Sequence, residues 1–324
     1  MTVSTGSGSN ALPSAGQSSI TTSSITTSST DRSSNDATTT GASAPGAAPD
    51  TAGPQTVAWP DRDDPTVSAG GAAFGRQWLT MTERAVRSAY GEGEFVIAVV
   101  MPVVFALGFY LPLRLIMADR GIDYAQFLMP IIVLQSVAFT AVAAAQRATL
   151  DKMRGMNRRL ASMPVRPLVP LFARMSTSMI RSMISIAAAL IIGVLLGFSF
   201  AGGPLDTLGF VAFALAVGLV LAIGADSLGL ITRGPEATSQ LLVLPQLVLG
   251  LLSTGFVPES GFPDWAQPFA RNQPISHFAG TMRELAAGEP TWHTAAPALI
   301  WLAALAVSFV AFAHHTQTHR RLYP

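Results

Sequence analysis

The sequence predicts an all-α polytopic membrane protein with six transmembrane helices. Only 12% of its 324 residues are charged and 49% are hydrophobic, with a mean hydropathy of +0.42; a soluble domain carries about twice that charged share. Six apolar windows of span length recur along the chain, and positive charge gathers between the second and third of them. The net charge of +1 argues against nucleic acid as a partner. Cysteine is absent, which removes disulfides, thiolate metal ligands and cysteine nucleophiles together and leaves the redox compartment open.

Residues 1 to about 70 are rich in Ser, Thr, Ala, Gly and Pro, as in SSITTSSITTSSTDRSSND. Such a segment buries too little apolar surface to offset its ordering entropy and is expected to be a disordered cytoplasmic tail, either an inert polar extension or a protein-binding arm. It has no basic start followed by an apolar run, so it does not read as a secretory signal. In Ala73–Tyr90, Phe74, Trp78, Met81, Ala85 and Ala89 recur near helical spacing, with Arg76, Glu83, Arg84 and Arg87 mainly elsewhere. This spacing predicts an interfacial helix, anchored by Trp78 and Tyr90.

A hydrocarbon core near 30 Å needs roughly 20 helical residues. The windows that meet this are Phe95–Ile116, Phe127–Ala145, Thr177–Phe198, Leu208–Ile231, the shorter Ala237–Thr254, and Thr294–Ala313. Pro102, Pro112, Pro130 and Pro245 lie in or near them and are tolerated where neighbouring helices satisfy the freed carbonyls. Gly193, Gly197, Gly218 and Gly224 permit close helix approach without identifying an activity.

The charges orient the bundle. Arg147–Arg174, RATLDKMRGMNRRLASMPVRPLVPLFAR, carries seven basic residues against one acid, Asp151. By the positive-inside rule this loop is cytoplasmic. With six spans, Arg233 and the terminal HHTQTHRRLYP fall on the same side, and the loops ADRGIDY and AGGPLDT on the other. Both termini are therefore expected in the cytoplasm and the protein in the cytoplasmic membrane. Within the basic loop, Leu150, Met153, Met156 or Asn157, and Leu160 recur every three or four residues, while Arg147, Lys152, Arg154, Arg158 and Arg159 take the remaining circumference. Pro164, Pro167 and Pro170 stop the pattern. This predicts a short amphipathic helix held apart from the spans, its stripe lying on lipid or in a groove of another protein.

Lys152 is the only lysine, and no Gly-x-x-x-x-Gly-Lys-Ser/Thr loop surrounds it. If ATP is used, another polypeptide hydrolyses it. Asp226, deep in span four, is costly in a membrane. It is either a proton relay, which would make a proton-coupled secondary transporter, or a structural partner of Arg181 or Arg174. Gln135 and Gln246 are placed to hydrogen-bond across helices or to meet a polar lipid head. His314, His315 and His319 cluster without carboxylates, so no metal site is expected, and no acidic pair or His-Glu motif forms a catalytic constellation.

Three stretches carry a family resemblance: NRRLASMPVRPLVPLFAR at Asn157–Arg174, IGADSLG at Ile223–Gly229, and GLLSTGFVPESGFPDWAQPFARNQPISHF at Gly250–Phe278. The last contains FPxWxxPFxxxQPxS from Phe262 to Ser276. From about Phe74 to His315 the chain resembles the ABC-2 type transporter permeases, most nearly the B subunits of mycobacterial daunorubicin-resistance type lipid exporters. The resemblance does not reach the tail. It implies the type V exporter architecture: six spans, a second permease subunit (a different one by likeness to a B subunit, otherwise a second copy), and two copies of a cytoplasmic ATPase that hold ATP and Mg, this chain binding no cofactor. It implies that Leu150, Asp151, Met153, Arg154, Met156, Asn157, Arg158, Arg159 and Leu160 form a coupling helix in a groove of the ATPase. It also implies that residues 256–289 form re-entrant extracellular helices closing the pathway, with Phe256, Phe262, Pro263, Trp265, Pro268, Phe269, Gln273 and Pro274 as a gate. The cargo would be complex envelope lipids or hydrophobic drugs.

Overall fold

Long apolar runs that lack the period-two alternation of strands, punctuated by Gly and Pro, fold here as helices. The computed structural model describes residues 70–118, 121, 123–156 and 169–322, all within one compact unit. The expected tail and the loop residues Asn157, Arg158, Arg159 and Leu160 lie outside the described residues. The helices are α1 (Gly70–Gly91), α2 (Glu94–Ala118), α3 (Tyr124–Met153), α4 (Val169–Leu195), α5 (Pro204–Ile231) and α6 (Pro235–Leu251). A 3₁₀ turn at Glu259–Gly261 then leads into α7 (Gln267–Asn272), α8 (Pro274–Ala287) and α9 (Trp292–Leu322).

Five of these helices, α2, α3, α4, α5 and α9, are long and apolar enough to cross a membrane. The expected fifth window, Ala237–Thr254, folds instead as α6 with 17 residues, about 26 Å at 1.5 Å per residue. Local hydrogen bonding stops it: the Ser253 hydroxyl donates to the Gly250 carbonyl at 2.6 Å and accepts from the Gly255 N–H at 3.2 Å, giving the backbone an alternative to the helix.

Helix ends are set by recognisable caps. The Asp123 carboxylate accepts the Ala125 and Gln126 N–H groups at 3.1 and 3.3 Å, starting α3. Pro204 starts α5, with Asp206 accepting the Gly203 N–H at 3.0 Å. Gly288 ends α8 in the left-handed region at φ 77°.

The chain runs up and down between two ends, here the α1 end and the α8 end. α3 lies at the centre, packed against α2, α4, α5, α6 and α8. Its Leu128, Met129, Ile131, Ile132, Val133 and Val137 are fully buried. α3 and α5 approach backbone to backbone, so a Cβ at Gly229 would collide with the Ala145 carbonyl oxygen. At the α1 end this contact is tied by Thr149, whose hydroxyl donates to the Gly229 carbonyl at 2.8 Å and lies 2.9 Å from the Thr238 hydroxyl of α6.

α1 lies against α4. Trp78, expected as a membrane-surface anchor, donates its indole N–H to the Ser176 hydroxyl at 3.0 Å, and Phe74 packs edge-on against Phe172. Tyr90 remains exposed.

Candidate functional site

The basic stretch differs from the sequence expectation. Arg147, Leu150, Asp151 and Met153 belong to the last two turns of α3 rather than to a helix apart from it. Nothing between Ala145 and Met153 breaks a helix. The break comes at Gly155, whose φ is +68°. Met153 and Arg154 are exposed there and Met156 is half-buried.

Beneath this end the bundle holds an ion network. Glu94, on the first residue of α2, accepts from Arg147 of α3 and from Arg181 of α4. Arg181 is only 1% exposed, so it depends on Glu94 and on the Ser178 hydroxyl at 3.2 Å. Glu92 lies 3.2 Å from Arg147 and 3.5 Å from Arg154. Asp226 is buried in α5, and its two oxygens lie 3.0 and 3.1 Å from Arg174 of α4. Arg174 is thus the partner of Asp226, while Arg181 pairs elsewhere. Sequence reading passed over Glu92 and Glu94; the available signal was GEGEF, two carboxylates immediately before an apolar run.

The middle of the bundle holds a second feature, a cavity of ≈ 350 Å³ walled by α3, α5, α6, α8 and α9. Its walls are apolar, with Leu242, Leu249, Phe278, Phe309 and Phe312 among them. The polar exception is the glutamine pair singled out from the sequence: Gln246 of α6 donates to the Gln135 side-chain oxygen of α3 at 3.0 Å. Gly250 makes room for it, since a Cβ there would occupy the Gln135 amide.

Residues 256–289 do not form a single cluster. Phe256 and Gln273 are buried, Phe256 against Phe109 with ring centroids 4.3 Å apart. Trp265 and Phe269 are exposed, as are Pro263 and Pro268, while Phe262 and Pro274 are half-buried. The segment is fastened by Arg283, which the sequence reading missed for want of a motif. Its guanidinium donates to the Phe127 carbonyl at 3.0 Å and to the Thr254 and Gly255 carbonyls at 2.9 Å each, and lies 3.8 Å from the Phe127 ring centre. Burial lowers its pKa to about 10, with Tyr124 raising it in part, so it stays charged at neutral pH. Among the described residues no group of three His, Cys, Asp or Glu side chains is placed to hold a metal.

Residues 118–314 match the ABC-2 family transporter protein model. The chain is similar to the doxorubicin resistance ABC transporter permease DrrB of Mycobacterium tuberculosis, with 38% identity over 247 residues, 72% of this chain and 86% of that one. It is 28% identical over 218 residues to the probable doxorubicin resistance permease DrrC of the same organism, covering 65% of this chain and 76% of DrrC. With the daunorubicin resistance permease DrrB1 of Streptomyces coeruleorubidus it shares 27% over 190 residues, 59% of this chain and 67% of that relative.

Proposed function

The chain belongs to the ABC-2 transporter family, and we propose that it is the permease subunit of an ATP-driven exporter of hydrophobic drugs or envelope lipids. The observation that carries the cargo class is the ≈ 350 Å³ cavity inside the spanning bundle, apolar except for Gln135 and Gln246. A pocket of this size and lining accepts a hydrophobic body and orients it through a few polar groups. Relatives named for doxorubicin and daunorubicin resistance support the same class.

In this reading α6, extended by the apolar Leu252 at its end, is the fifth of six spans and α9 the sixth, and the architecture is that of a type V exporter. The α1 end, with Arg147, Lys152, Arg154, Arg174 and Arg233, faces the cytoplasm together with both termini. α7 and α8 re-enter from the outside. Two ATPase subunits, which hold ATP and Mg, grip the end of α3 and the residues that follow it. Leu150, Met153, Met156 and Leu160 supply apolar contacts and Arg154, Arg158 and Arg159 electrostatic ones. A second permease of the same family completes the pathway. Asp226 serves the bundle, because both its oxygens face Arg174.

Two measurements test this. In proteoliposomes containing the full complex, doxorubicin should accumulate in an ATP-dependent way, and Phe309→Ala with Leu242→Ala should reduce that transport while assembly persists. Transport that continues without ATP under a proton gradient would refute the reading. Leu150→Asp with Met153→Asp should abolish co-purification of the ATPase while membrane insertion survives.

A further inference from the structure

The ion network at the α1 end contains more positive charge than its carboxylates neutralise. Arg84, Arg147, Arg154, Arg174 and Arg181 line one cavity of ≈ 210 Å³ between α1, α3, α4 and α5. Four carboxylates adjoin it. Glu92 and Glu94 engage Arg147, Arg154 and Arg181, and Asp226 engages Arg174. Asp151 lines the wall. One net positive charge remains, and Arg84 has no ion pair among the described residues.

The donors are also incompletely used. Arg181 is 1% exposed, yet its Nε–H has no acceptor. The Nε of Arg174 lies 3.0 Å from Asp226 Oδ1 without the alignment of a hydrogen bond. A buried N–H left without an acceptor is costly, and structures of this kind are completed by whatever supplies one. Arg84 and Arg154, both exposed, line the same cavity as Arg174 and Arg181, so the inner guanidinium groups share one space with an accessible cationic side.

We infer that this arginine-lined cavity is a binding site for a phosphate group, presented by an anionic lipid head or free in solution. The guanidinium fork matches phosphate oxygens in pairs, which suits several arginines converging on one space. The volume equals about seven waters at ~30 Å³ each, enough for a phosphodiester with its glycerol neighbour. Its position at one end of the spanning helices places the mouth at the depth of lipid headgroups, and basic pockets between spanning helices take anionic heads. The inference requires a membrane protein but not transport, so failure of the exporter reading leaves it standing.

The test uses the full-length chain in uncharged detergent, with thermal unfolding as the readout. Phosphatidylglycerol should raise the Tm saturably. Dioleoylglycerol, with similar chains and no phosphate, should not. Arg84→Gln with Arg154→Gln should weaken the phosphatidylglycerol effect at least tenfold in midpoint concentration, while Arg84→Lys with Arg154→Lys keeps most of it. Both positions are exposed, and the unliganded Tm reports whether the variants are folded. Arg87→Gln, outside the cavity, should change nothing. Inorganic phosphate that stabilises with the same dependence on Arg84 and Arg154 assigns the site to free phosphate; stabilisation by the lipid alone assigns it to a headgroup. The inference is overturned if neither phosphate form binds, if dioleoylglycerol acts as well as phosphatidylglycerol, or if the glutamine variant binds as tightly as the native chain.

Discussion

Glu94 is the residue whose loss should be felt most at the α1 end. Replacing it with Gln keeps the shape but removes the charge and turns an amide toward two guanidinium groups. Arg181, 1% exposed, would be left without a counter-ion, whereas Arg147 would retain Glu92 at 3.2 Å. Stranding one member of a buried pair costs about 3–5 kcal/mol. Membrane-embedded polar pairs fall at the low end, because the unfolded state in detergent or lipid also finds partners. At ~2–4 °C per kcal/mol for a domain of this size, a cost of about 3 kcal/mol corresponds to a Tm lower by about 6–12 °C. Thermal unfolding of the purified full chain, at one scan rate for every variant, measures it. Glu94→Gln combined with Arg181→Met should recover most of the loss, since both charges are then gone. A single variant within ~2 °C of the native chain, or a double variant below the single one, would refute the view that Arg181 depends on Glu94.

Other perturbations probe the remaining contacts. Gly229→Val should separate α3 from α5 and lower the Tm by more than the same change at exposed Gly91, where a Cβ meets nothing; equal effects would contradict the close approach. Arg283→Met leaves the Phe127, Thr254 and Gly255 carbonyls without their donor, at a cost of about 3 kcal/mol, and should expose the 254–256 segment to proteolysis. Glu284 is pushed up by burial, but hydrogen bonds from Thr294 and Thr291 outweigh this and hold it below its ordinary 4.5. A depressed carboxylate contributes stability above its unfolded pKa and loses it as pH falls through the folded value. Between about pH 6 and 3 the native chain should therefore lose more Tm than Glu284→Gln; parallel curves would rule this out.

Much of the bundle was legible because its signal is local. Apolar runs of span length, the Asp123 cap and the Pro204 start can be read without knowing what packs where. The glutamines at 135 and 246 were conspicuous for the same reason, as polar groups in apolar runs. Pairings were not legible, because they depend on which helices become neighbours. Glu94 looked like a residue before a span, and only the meeting of α2, α3 and α4 makes it a hub. Arg283 sits in no motif, and its three acceptors are backbone carbonyls more than 25 residues away. The end of α6 is not legible in hydropathy, because the i→i−4 bonds reach the Leu252 N–H and then give way at Ser253, which turns back onto Gly250. The end of α3 was misjudged because charge begins at Arg147 while helix geometry persists to Met153.

The backbone contact at Gly229 has a mechanical consequence. With no side chain between them, α3 and α5 have no cushion along which to slide, and the Thr149 hydroxyl rivets them where they meet. A push delivered at Met153 therefore travels down two rods at once. α2 presents a long run of uncovered apolar side chains, yet its first residue is held from both sides, Glu94 taking Arg147 of α3 and Arg181 of α4, so the same push is shared with α2 and α4.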